Sequence, residues 1–110
     1  MKPGIEREAR KLIDEFGAAQ PRTMAAFGAL AQATFQDGAL DVRTKELIAL
    51  GIAIAQGCDG CIAWHNAALH RLGVTDDQIA EVGAVAVEMG AGIALYRSAR
   101  ALEGYREFGV

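Results

Sequence analysis

Cys58 and Cys61, the two cysteines of the chain, stand in the segment Cys58-Asp59-Gly60-Cys61-Ile62-Ala63-Trp64-His65. A C-x-x-C pair with a histidine four residues on equips a chain for thiol redox chemistry or for holding a metal. With Cys58 at a helix N-terminus and Cys61 in the first turn, unpaired backbone N–H groups and the positive end of the helix dipole stabilise a thiolate. His65 then follows Cys61 by one turn on the same face, where its imidazole can take the thiol proton directly or through one water. Cys58 is close enough to resolve a sulfenic acid on Cys61 into an intramolecular disulfide. His70, nine residues from Cys61, falls on the opposite face at about 100° per residue. It reads as a surface or partly buried helix histidine.

Glu46 is the next candidate. If the helices before and after Gly57 form an antiparallel hairpin, Glu46 lies about 16 Å down one arm and His65 about 12 Å down the other. The two side chains can then meet, with Cys61 a turn nearer the tip. A carboxylate beside an imidazole fixes its tautomer and strengthens it as a base. Cys58, Cys61, His65 and Glu46 thus form a candidate proton relay. The same four residues could instead supply four ligands to zinc or another soft metal. Three ligands crowded onto one helix start are less typical of structural zinc, which usually takes two well-separated pairs.

The elements that must position these residues all read as helices. A first amphipathic helix is predicted from about Ile5 to Phe16, with Ile5, Ala9, Leu12, Ile13 and Phe16 on one face. Pro21 opens a second, carrying Met24, Phe27, Leu30, Ala31 and Phe35 on its apolar face until Asp37-Gly38 breaks it. Asp41 is a good N-cap for a third, Val42 to Gln56, closed by Gly57. Beyond its first turns this helix is apolar all round, which predicts burial. The fourth runs from the cysteine pair to about Leu72, with Gly73 as a left-handed cap. Thr75-Asp76-Asp77-Gln78 makes a capping box, with Val74 and Ile79 placed as a hydrophobic staple. The fifth runs to about Met89. Gly90 and Gly92 predict a break before a last helix from about Ile93 to Phe108. The reading is all-α, five to six helices in one domain spanning residues 1–110. Trp64, Met24 and Met89 read as packing residues.

Composition narrows the function classes. The chain is 52% hydrophobic but only 6% aromatic, much of the apolar share being alanine, the best helix former. A formal net charge of -3 with interspersed acids and bases argues against nucleic acid, which needs a basic surface. The charged N-terminus lacks the apolar run of a secretory signal. No stretch reads as long and charge-free enough to span a bilayer; the best, Leu47 to Ala55, is about half of the ~20 residues required. A cytoplasmic protein without membrane association is expected, and in a reducing compartment two close cysteines point to catalysis or metal rather than a structural staple. The apolar helices 42–56 and 79–89 carry more apolar surface than one small subunit hides, which predicts a homo-oligomer.

Glu46, eleven residues, Cys58-x-x-Cys61, three residues, His65 resembles the signature of the alkylhydroperoxidase D-like branch of the carboxymuconolactone decarboxylase superfamily. Leu40-Asp41 and Thr44-Lys45-Glu46-Leu47-Ile48-Ala49-Leu50 look like the helix that precedes the cysteines there. The resemblance is sharpest from Leu40 to Gly73. It implies an all-helical subunit forming trimers or hexamers, with the site buried between helices. Carried over, Cys61 attacks a hydroperoxide, Cys58 resolves, His65 is the base, and Glu46 orients it or receives the proton. A lipoyl-bearing or other dithiol partner re-reduces the disulfide, and no dissociable cofactor is needed. The chain departs from the pattern at Gly60, where the best-described peroxidases of the branch carry a second histidine. A cofactor-free decarboxylase or isomerase like the superfamily's namesake is an alternative, although that chemistry needs no vicinal dithiol. So is an interaction module with buried, inert cysteines.

Overall fold

Local signals set most of the helix ends. A computed structural model describes residues 4–109, and among them helix is the only regular structure. The helices are α1 (Ile5–Ala19), α2 (Pro21–Thr34), α3 (Val42–Gln56), α4 (Asp59–Arg71) and α5 (Asp76–Phe108). Pro21 occupies the first turn of α2, where its missing N–H costs nothing. Asp41 caps α3, its carboxylate accepting from the Thr44 N–H at 2.8 Å. Thr75 and Gln78 close a capping box at the start of α5. Gly57 and Gly73 both take left-handed backbone (φ 74° and 77°), a region that costs glycine little.

The turn at Gly57 folds α4 back against α3. This hairpin carries the core: Leu50, Ala53 and Leu69 are the buried apolar side chains among the described residues. α1 packs on α4 and on α2, and α5 packs on α3 alone. At the α1–α2 corner Gly17 is buried beneath Met24, so this methionine fills a gap, as expected.

α5 corrects two expectations. No break occurs at Gly90 or Gly92: α5 runs unbroken for 33 residues, about 50 Å at 1.5 Å per residue. Each glycine weakens a helix by about 1 kcal/mol relative to alanine but keeps its N–H donor, unlike proline. That penalty is too small to end a helix whose flanking residues are good formers. α5 is also long and apolar enough, by length and composition, to cross a bilayer, which overturns Leu47 to Ala55 as the best such stretch. The continuous helix makes the difference, because it joins two segments that the sequence reading divided.

α3 is not buried all round. Leu50 and Ala53 point into the hairpin, whereas Ile48 and Ile52 are about half-exposed and line an open groove with Ala33 and Phe35. An apolar helix is covered only where a neighbour exists, and this chain supplies neighbours on part of the circumference. The chain is correspondingly open. Its radius of gyration is 18.4 Å, against ~13 Å for a compact domain of this length. Its accessible surface is 8554 Å², against ~5,800 Å² for a compact monomer of this mass.

Candidate active site

The hairpin turn places the dithiol. Cys58 is the N-cap of α4 in extended backbone, and Cys61 lies in the first turn. The Cys61 N–H donates to Cys58 Sγ at 3.2 Å, so sulfur does the work an oxygen usually does at an N-cap. The two sulfurs are joined in a disulfide, with Cα atoms 5.2 Å apart, inside the range such bridges span. Cys58 is half-buried and Cys61 is exposed.

One turn further along α4, His65 meets Glu46 of α3. The imidazole Nδ1 lies 2.7 Å from Glu46 Oε2. Glu46 is the buried charged residue among those described, at 8% exposure. An ionised carboxylate only accepts, so Nδ1 carries the proton and donates to it. The neutral imidazole then keeps its lone pair on Nε2, the nitrogen free to take a proton from elsewhere. Helix arithmetic anticipated this meeting across the hairpin. His70 is exposed near the far end of α4, away from this cluster.

Three neighbours escaped the sequence reading. The Phe35 ring stands 5.8 Å from the imidazole, tilted by 35°. Lys45 donates through Nζ to the carbonyls of Thr34 and Gln36, at 2.9 and 2.6 Å. Arg10 of α1, paired with Glu6, places its guanidinium 4.8 Å from the Trp64 ring centroid, a cation–π contact. No local spacing announces any of these, because each joins residues from different helices or loops.

Gly60 acquires a reason. A Cβ at this position would lie 3.3 Å from the Cβ of Ala9, so α1 rests directly on the turn between the cysteines. A side chain in the place of Gly60 would press on α1, which would have to give by a few tenths of an ångström. The departure from the peroxidase pattern is thus coupled to the position of α1.

The four residues do not gather as a metal centre. Among the described residues no three His, Cys, Asp or Glu side chains converge as ligands would. With the sulfurs bonded to each other, neither is a thiolate donor.

An all-helical chain with a C-x-x-C disulfide at a helix start and a part-buried Glu–His pair one turn away defines the class. Residues 21–104 match the carboxymuconolactone decarboxylase family, and the chain belongs to that family. It is 39% identical over 95 residues to an uncharacterized protein of Cupriavidus necator, covering 86% of this chain and 84% of that protein. It is similar to the crystal structure of an apo carboxymuconolactone decarboxylase family protein from Legionella pneumophila, with a TM-score of 0.74 and 40% identity over 96% of this chain and 95% of that one. A family protein from Thermotoga maritima, for which a possible involvement in antioxidative response has been named, aligns at a TM-score of 0.58 and 32% identity. That alignment covers 78% of this chain and 92% of the other.

Proposed function

We propose that this protein is a thiol-dependent oxidoreductase that reduces hydroperoxides through a Cys61/Cys58 dithiol–disulfide cycle, assisted by His65 and Glu46. The observation that carries the reading is the part-buried Glu46–His65 hydrogen bond one helical turn from the bonded cysteines. The named possible involvement of the Thermotoga maritima protein in antioxidative response agrees with it.

In the reduced state His65 takes the Cys61 proton through Nε2, with Glu46 holding the ring by Nδ1. The Cys61 thiolate attacks the peroxide oxygen, the O–O bond breaks, and the leaving alkoxide takes a proton to depart as an alcohol. Cys61 is now a sulfenic acid. Cys58 sulfur attacks it, the S–O bond breaks, and water leaves with the Cys58 proton. The resulting disulfide is the state described above. A dithiol reductant or lipoyl-bearing partner returns it to two thiols by exchange, itself becoming a disulfide. The sulfurs carry the electrons, so the cycle calls for no dissociable cofactor.

The open subunit is proposed to complete itself as a homo-oligomer, a trimer or hexamer, in the cytoplasm, with α5 packed between copies rather than in lipid. Glu81 and Glu88, inside the apolar part of α5, favour that choice, since ionisable groups within a bilayer are costly.

The test is consumption of tert-butyl hydroperoxide with a dithiol reductant, comparing wild type with Cys61→Ser and Cys58→Ser. Loss of turnover in both variants is expected, and equal rates in all three would overturn the reading. Activity on a lactone acid retained in the double variant would move the protein to the decarboxylase reading instead.

A further inference from the structure

Consecutive residues of α3 hold the site from two directions. Glu46 accepts the hydrogen bond that His65 donates through Nδ1. Lys45, its neighbour in sequence, reaches the other way, to the C-terminal end of α2. Its ammonium binds the carbonyls of Thr34 and Gln36, which flank Phe35. The Phe35 N–H is itself spent on Ala31, at 2.9 Å. Among the described residues no other protein donor reaches either flanking carbonyl. A cation there also opposes the negative end of the α2 dipole. The backbone on both sides of Phe35 is therefore tied to α3, and the Phe35 ring lies against the imidazole at 5.8 Å.

The hydrogen bond to Glu46 constrains only one atom of the imidazole. The ring is also bonded through Cγ to its own backbone, yet coupled rotation about χ1 and χ2 that keeps the Nδ1 contact still carries Nε2 through an arc. A side chain packed beside the ring limits this freedom. Phe35 supplies that contact, and Lys45 fixes where Phe35 stands. We infer that Lys45 is a positioning residue for the His65 imidazole, acting through Phe35. The inference concerns the geometry of the ring, and its consequence for turnover rests on the proposed role of His65 as base.

The experiment has two arms on the same variants. The first follows the His65 ring C–H resonances by NMR, where the Phe35 ring current reports its own placement and Phe35→Leu sets the value without it. His70, exposed elsewhere on α4, is the internal control. The second measures oxidation of the reduced dithiol by tert-butyl hydroperoxide. Lys45→Met and the milder Lys45→Gln are expected to move the His65 resonances toward their Phe35→Leu positions and leave those of His70 in place. Dithiol oxidation should slow about tenfold, a part of the 10²–10⁴ that a positioned general base contributes. Lys45→Arg should restore both readouts. The inference is overturned if the His65 resonances stay at wild-type values in both variants, or if His65 and His70 move together. It is also overturned if dithiol oxidation keeps its wild-type rate in the Lys45 variants while His65→Gln lowers it. If His65→Gln leaves the rate unchanged, the base reading fails, and a selective shift at His65 still supports placement of the ring by Lys45.

Discussion

His65 Nδ1 and Glu46 Oε2 lie 2.7 Å apart across the α3–α4 hairpin, nineteen positions apart in the chain. The contact links the element that carries the cysteines to the one that packs beneath them. It leaves Nε2 as the accepting nitrogen of a neutral imidazole, one turn beyond Cys61.

Glu46→Gln tests what the charge contributes. The amide has nearly the same shape and can still accept from Nδ1, but it can also turn and donate, which would reverse the tautomer. Dithiol oxidation by hydroperoxide should fall at least tenfold, as a share of general-base catalysis, with little change in melting temperature. Glu46→Ala should add a loss of about 1–3 kcal/mol in stability, because the half-buried imidazole loses its partner. Wild-type oxidation rates in Glu46→Gln would remove Glu46 from the relay.

Gly60 and Ala9 should behave as a coupled pair. Gly60→His brings its Cβ to 3.3 Å from that of Ala9, so α1 has to give by a few tenths of an ångström. Overpacking of this kind costs about 1–3 kcal/mol. Ala9→Gly alone should cost about 1 kcal/mol of helix propensity, yet in the Gly60→His background it should recover stability by making room. A double-mutant cycle by urea denaturation reads the coupling. Strictly additive effects would mean that α1 does not depend on Gly60.

Much of this arrangement was legible in the sequence, for reasons that differ by residue. Asp41, Gly57, Thr75 and Gln78 act on backbone groups within a few residues, so α3 and the start of α5 could be placed closely. Glu46 and His65 are farther apart, but two straight helices and one turn convert their separation into simple lengths. Gly90 and Gly92 misled because glycine permits a break without requiring one. Phe35, Lys45 and Arg10 stayed hidden because their partners are set by how α1 and α2 lie against the hairpin, which no local spacing records. The exposure of Ile48 and Ile52 was missed for a related reason. Apolar periodicity says that a face is to be covered, not that the same chain covers it.

Asp41 gives α3 an acid-sensitive start. Its carboxyl is held below the usual value of 3.8, first by the Thr44 hydroxyl and then by the Thr44 N–H, with a smaller contribution from the Arg43 charge. A depressed folded-state value means that the stabilisation is full above the unfolded value and fades as pH falls through the folded one. Asp41→Asn keeps an acceptor for the cap but does not titrate. Its melting temperature should decline less steeply than that of wild type below pH 3.8 at low salt. The difference should shrink as salt is added, because the carboxylate is exposed. Parallel curves would separate the cap from the acid response.

α5 should be where the subunit meets its copies. Leu95, Tyr96, Tyr105 and Phe108 are largely exposed, at 74%, 66%, 77% and 91%. The surface in excess of a compact monomer is ~2,700 Å², within the 2,000–5,000 Å² that obligate assemblies bury. A lone chain with three buried apolar residues among those described should lack the burial needed to offset its chain entropy. Assembly and folding should therefore fail together. Light scattering should find wild type as a trimer or larger at micromolar concentration, with a melting temperature that rises with concentration. Leu95→Glu with Leu102→Glu should lower the mass and the melting temperature in parallel, since a buried unpaired carboxylate on each copy is costly. A wild-type monomer that melts independently of concentration would sink the assembly. Wild type recovered with the membrane pellet and released only by detergent would instead assign α5 to lipid.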